Sequence, residues 1–138
     1  MVDTKAAVEG GCHCGAVRFR AVIARTPGAP LVAHACNCSI CRMVGFEHLI
    51  VAADDFELLR GEADLSCYTF NTGVARHYFC RHCGVKSFYI PRSNPDGYSV
   101  NLRCLDTPPE GVEVEPFDGQ NWEAHAGALA HLSKQEDH

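Results

Sequence analysis

Seven of the nine cysteines fall into three groups whose spacing suits a metal ion. They are Cys12-His13-Cys14 between glycines, Cys36-Asn37-Cys38-Ser39-Ile40-Cys41, and Cys80-Arg81-His82-Cys83 followed by Gly84. Nine is an odd number, so a fully paired disulfide framework within one chain is impossible. A disulfide within either C-x-C pair would also close a very small, strained ring. Clustered cysteines in a reducing compartment are better read as metal ligands.

The pairs and the triplet point to different chemistry. A structural zinc takes four protein ligands, whereas a catalytic zinc keeps three and leaves a position for water or substrate. Cys12 and Cys14 with Cys80 and Cys83 make up a four-thiolate set, which closes a loop of 65 intervening residues and so is expected to stabilise the fold. Cys36, Cys38 and Cys41 are then a set of three. Spacing also allows this set to borrow a fourth ligand from Cys67, Cys104, His34, His48 or His77, but the open form is the preferred reading. Three thiolates on a divalent ion leave a net charge of −1, which makes a poor activator of water. Such a centre can still bind an incoming thiol and hold it as thiolate. The chemistry favoured is carbon–sulfur bond making and breaking rather than hydrolysis.

Other metal chemistries fit less well. The Cys/His pairs of a Rieske cluster are absent, as is the His-x-Glu of the zinc deaminases. A four-cysteine iron centre remains chemically possible at Cys12, Cys14, Cys80 and Cys83. A formal net charge of −5 opposes general nucleic-acid binding. Residues 1–10 carry charges and lack the apolar run of a secretory signal, and no stretch approaches the length of a membrane span. The expectation is therefore a cytoplasmic protein with no membrane or nucleic-acid partner.

The elements that must hold these cysteines read as short strands. Polar–apolar alternation over 16–24 predicts a half-buried strand. Further strands are predicted over 31–35, 46–53, 56–59, 85–90 and 98–104, and a hairpin over 66–70 and 74–79. Residues 1–9 read as a flexible terminus, 10–124 as one zinc-stabilised β domain and 125–138 as a tail, with one short helix expected around 122–132. The fold class expected is mainly β, a small antiparallel zinc-binding domain with little helix.

The motifs in this order resemble the glutathione-dependent formaldehyde-activating enzyme family, which includes centromere protein V. The resemblance rests on Gly11–Gly15, Cys36–Arg42, Tyr68–Gly73, Phe79–Gly84 and Asn101–Asp106, and the run from Tyr68 to Asp106 is most similar to the centromere protein V branch. It implies a mainly-β fold like that of the mammalian-suppressor-of-Sec-four proteins. It also implies two zinc ions per chain: a structural one at Cys12, Cys14, Cys80 and Cys83, and a second at Cys36, Cys38 and Cys41, where the family is thought to bind glutathione and act on its formaldehyde adduct.

The remaining polar residues divide less sharply. Arg42 either pairs with a substrate carboxylate or is a solvated arginine. Asn71, Thr72 and His77 are candidates to line a pocket for glutathione or a similar small thiol, although such residues more often cap turns. His13 and His82 read as spacers, Cys67 and Cys104 as buried small apolar residues, and Trp122 as a core or tail anchor. His125, His131 and His138 show no metal-ligand spacing. The leading hypothesis is a carbon–sulfur lyase in which Cys36, Cys38 and Cys41 carry the chemistry. The alternative is an interaction module with two structural metals, and a third reading is a redox or metal sensor.

Overall fold

Phe19 is the least exposed large side chain, and the fold is arranged around it. The computed structural model describes residues 4–70, 73–92 and 94–118. The alternating segment forms β2 (Arg18–Arg25), which buries Phe19, Ala21 and Ile23 on one face. It lies between β1 (Thr4–Gly11) and β5 (Phe56–Arg60) in an antiparallel three-stranded sheet. A second sheet has the order β10–β3–β4–β9–β8, comprising β3 (Leu31–Cys36), β4 (Glu47–Ala52), β8 (Phe88–Tyr89), β9 (Gly97–Asn101) and β10 (Val112–Phe117). β6 (Leu65–Tyr68) and β7 (His77–Cys80) form the expected hairpin, with Tyr68 opposite His77.

The apolar faces of the two sheets share one core. Phe19 stacks on Phe56 with ring centroids 5.7 Å apart and meets the Phe88 ring edge-on at 6.1 Å. Phe56 stacks on Tyr98 at 4.2 Å. Leu49, Val51 and Val100 complete the cluster from β4 and β9. Burying each aromatic ring of this kind contributes about 1.5–3 kcal/mol. The outcome is mainly β, as the strand pattern predicts.

Three features depart from the sequence expectations. Residues 4–9, read as a flexible terminus, belong to β1, which pairs with β2 from Thr4 opposite Arg25 to Gly11 opposite Arg18. Its residues are mostly small or charged and lie at a sheet edge, so they carry no strong apolar pattern. The proline-broken stretch after Leu105 contains β10, which runs parallel to β3 in an otherwise antiparallel sheet. Pro116 is compatible with this place because β10 is an edge strand. Finally, Ser39–Val44 form α1, a six-residue helix that the sequence reading left without structure. The helix expected around 122–132, with Trp122, lies outside the described residues.

Candidate metal centres and the polar cluster behind one of them

Two turns build the four-cysteine group. In the first, the Cys12 amide donates to the Val17 carbonyl at 3.1 Å, the Gly15 amide donates to the Cys12 carbonyl at 3.2 Å, and the Val17 amide reaches the Cys12 sulfur at 3.3 Å. The second repeats the pattern: Cys80 N–H to Val85 carbonyl at 3.1 Å, Gly84 N–H to Cys80 carbonyl at 2.8 Å, and His82 N–H to Cys80 sulfur at 3.4 Å. Glycine is required at both. A Cβ on Gly11 would sit 2.1 Å from the Val17 carbonyl oxygen, and Gly84 has φ +78°. All four sulfurs lie within 4.8 Å of one another, with Cys14 3.6 Å from both Cys12 and Cys80. Zinc–sulfur bonds of about 2.3 Å in a tetrahedron put sulfurs roughly 3.8 Å apart, so this donor set fits zinc.

The three-cysteine group sits where β3 ends and α1 begins. Cys36 closes β3, Cys38 is the N-cap of α1, and Cys41 is the buried residue of the helix. The helix is ended by Gly45 in the left-handed conformation, whose amide donates to the Cys41 carbonyl at 2.9 Å. The parallel strand β10 braces the approach, with the Asn37 amide donating to the Phe117 carbonyl at 3.1 Å. The three sulfurs lie within 4.8 Å of one another, and among the described residues no histidine, cysteine or carboxylate joins them at that distance. The closed form that sequence spacing allowed, with His34, His48, His77, Cys67 or Cys104 as a fourth ligand, is not the arrangement found. Hydrogen bonds from Cys36 and then Cys41 hold the Cys38 thiol far below its ordinary range, while hydrogen bonds to Cys36 and Cys38 push Cys41 far up. Three soft donors that already share protons suit a divalent ion, which replaces those protons on binding.

Behind this triplet lies a buried polar cluster. Lys86 is 6 % exposed, and its ammonium donates to His77 Nδ1 at 2.7 Å. It stands 3.9 Å from the Tyr89 ring centroid and 5.2 Å from that of Phe46, and no carboxylate pairs with it among the described residues. Burial pushes Lys86 down to about 8, against the attraction of the Cys41, Cys38 and Cys36 thiolates. Burial, followed by the Lys86 charge, lowers His48 to about 3 and His77 to about 4. Both imidazoles are therefore neutral near pH 7. His48 Nδ1 lies 2.9 Å from the Ser99 hydroxyl and 3.3 Å from the Tyr89 hydroxyl. Tyr89 is raised well above its ordinary value by burial and then by the Cys41, Cys36 and Cys38 charges.

The sequence candidates are distributed unevenly. His77 is 4 % exposed and belongs to this cluster. Arg42 is exposed on the last turn of α1, directly after Cys41. Asn71 and Thr72 lie outside the described residues. His13 is exposed, and His82 turns outward to Asp64 at 2.8 Å, which agrees with their reading as spacers. Cys67 is exposed on β6 and not buried as expected, because the end of that short strand is exposed on both faces, at Cys67 and Tyr68; Cys104 is half-buried. Sequence reasoning missed Lys86 and Tyr89 and named His48 only as a spare ligand. The available signal was a titratable residue within an apolar run, Lys86 in 85–90 and His48 in 46–53.

Comparison with known proteins converges on one group. The family model described as "Glutathione-dependent formaldehyde-activating enzyme" matches residues 7–122. A curated protein of Halomonas elongata, provisionally given that same description, is 28% identical over 127 residues, which cover 83% of this chain and 78% of that protein. A crystal structure of a Rhodobacter sphaeroides protein is similar in fold, with a TM-score of 0.68 and 36% identity, covering 79% of this chain and 99% of that one.

Proposed function

The chain belongs to the glutathione-dependent formaldehyde-activating enzyme family, and from that premise we propose that it is a zinc-dependent carbon–sulfur lyase. Its substrate is the adduct of glutathione, or a similar small thiol, with formaldehyde or another small carbonyl. The observation that carries this reading is the contrast between four sulfurs gathered at one centre and three at the other. A metal held by Cys12, Cys14, Cys80 and Cys83 has no ligand position to offer a substrate. One held by Cys36, Cys38 and Cys41 keeps such a position.

When bound at the triplet, zinc supplies a positive charge that favours the thiolate form of a thiol sulfur. The protein's own residues do the rest. Cys36, Cys38 and Cys41 are fixed by the end of β3 and the first turns of α1, so their sulfurs converge without help from a distant strand. Lys86, buried and paired with no carboxylate among the described residues, offsets the negative charge of three thiolates. Arg42, exposed beside Cys41, is available to a substrate carboxylate, and His77, buried on β7, is assigned to the inner end of the thiol pocket. Asn71 is assigned to the pocket on sequence grounds alone. A glutathione partner accords with a cytoplasmic setting, where thiols stay reduced.

The test is exchange between ¹³C-formaldehyde and its glutathione adduct, followed by NMR. The exchange rate is expected to rise in proportion to protein concentration, and Cys38→Ser to abolish the rise. A rate indifferent to the protein contradicts the lyase assignment.

A further inference from the structure

β1 is the outer strand of its sheet, and part of its outer edge is unpaired. Towards Gly11 the edge is taken: the Asp106 amide donates to the Glu9 carbonyl at 2.9 Å, and Gly10 bridges Leu105. Glu9 therefore turns its main-chain groups away from β2. The register between β1 and β2 is regular from Thr4 to Gly11, so by alternation Lys5 and Ala7 turn theirs outward as well. No main-chain group meets Lys5 or Ala7 there among the described residues.

Beside this free edge lies a groove of about 770 Å³, bounded by Ala6–Glu9, by Asp106–Glu110 and by Ile23, Arg25 and Leu31. Val8 packs against the core, and Ala6 lies on the same side of the strand by alternation, yet Ala6 is exposed. The groove is thus a place where the apolar edge of the core is left uncovered. The other edges of the two large sheets are protected in ways that β1 is not. β10 carries Glu113, Glu115 and Pro116, β8 is two residues long, and β5 carries Glu57 and Arg60. β1 instead has three uncharged residues in a row, Ala6, Ala7 and Val8, between Lys5 and Glu9. That charge pattern complements itself when a copy of the strand runs antiparallel to it.

We propose that β1 of a second copy of this chain occupies the free edge, antiparallel and centred on Ala6, so that two sheets join into one. Lys5 then exchanges both main-chain hydrogen bonds with Ala7 of the second copy, and Ala7 does so with Lys5. On the core side Ala6 meets its counterpart and Val8 meets Thr4, so each strand covers the groove of the other. On the outer side Lys5 stands diagonally across from Glu9 of the second copy, roughly 7–8 Å away and within reach of its long side chain. Neighbouring registers are worse. Centring on Ala7 would place Lys5 of the second copy opposite Glu9, where Asp106 already stands. Centring on Lys5 would set two lysines face to face. The pairing is self-complementary about a two-fold axis, so it closes at a dimer. It is independent of the chemistry at the cysteine triplet.

Sedimentation velocity on the purified chain tests the pairing. The wild type is expected to be a dimer at about 100 µM, well above the micromolar Kd of a weak specific contact, and a monomer at that concentration overturns the proposal. Ala7→Pro removes an outward N–H that β2 does not use, so this variant is expected to be monomeric with circular dichroism and metal content unchanged. A dimer that survives in Ala7→Pro overturns the proposal. Lys5→Glu, at an exposed side chain, gives a reading that leaves the backbone intact. It is expected to weaken the dimer roughly tenfold or more, and the double change Lys5→Glu with Glu9→Lys to restore it. Equal dimerisation of the wild type, Lys5→Glu and the double variant places the contact elsewhere on the surface and overturns the assignment to β1.

Discussion

The two cysteine centres are built from the same donor atom and serve opposite ends. The four-cysteine centre joins two matching turns that are 66 residues apart in sequence, Cys14 to Cys80. The three-cysteine centre draws its ligands from six consecutive positions at one strand–helix junction. The first therefore ties distant segments together, and a metal there contributes directly to folding. The second closes no long loop, so a metal bound there would do little for stability and would be free to meet a ligand. Their surroundings differ in the same sense. His82 and Arg81 beside the first centre face outward to Asp64. Behind the second stand a buried lysine, two neutral histidines and a buried tyrosine, an expensive arrangement for a purely structural site.

The largest expected effect breaks the first centre. Cys83→Ser should lower the melting temperature by about 10 °C or more, because a ligand to a fold-closing metal is lost. Cys38→Ser should move the melting temperature by only a few degrees while emptying the second centre, and thermal melts with metal analysis check both. If the two variants are equally destabilised, the division between the centres fails.

A second effect separates the surroundings through pH. His48 titrates near 3 and His77 near 4 in the folded chain, below the ordinary histidine value of 6.5. The unfolded chain therefore binds more protons between those values and 6.5, so folded stability falls as pH drops from about 6.5 towards 4. The groups acting on His48 are Lys86, Cys38, His34 and His77. His48→Phe should lose less stability over this range than the wild type does, as read by urea unfolding at pH 7 and pH 5. Metal release on acidification acts on both proteins and cancels in the comparison. Equal losses count against a buried neutral His48.

The smallest effects lie at the surface. Arg42→Ala should change folding stability by less than about 0.5 kcal/mol, because the side chain is exposed. If Arg42 meets a substrate carboxylate, the same change should raise the KM for the thiol adduct several-fold without lowering kcat. Cys67→Ser, also exposed, should leave stability and metal content unchanged, and loss of a metal ion from this variant would place a ligand where none is assigned.

Much of this was legible in the sequence because metal ligands are local. Glycine-framed C-x-C, C-x-C-x-x-C and C-x-x-C-Gly state their chemistry within a few residues, and the structure gathers Cys12, Cys14, Cys80 and Cys83 as their spacing suggested. Strands with one buried face, such as β2, were also readable from alternation. Elements stabilised by distant partners were not. β1 is small and polar, and its pairing with β2 carries it. β10 has only half-buried or exposed residues and is held by parallel pairing with β3, some eighty residues earlier in the chain. The polar cluster was hidden for a related reason. Lys86, His48, Tyr89 and Ser99 come from three neighbouring strand segments, and only the sheet order brings them together behind Cys41.

Metal stoichiometry in the presence of a competing thiol tests the asymmetry of the two centres most directly. Purified wild-type protein should carry two zinc ions per chain, of which one leaves to a mild chelator and has its loss altered by glutathione. Cys38→Ser should carry a single zinc that resists the chelator and ignores glutathione, in a chain that stays folded. One zinc per wild-type chain, two equally inert ions, or a Cys38→Ser protein that unfolds would contradict the view that one centre closes the fold and the other stays open for a thiol.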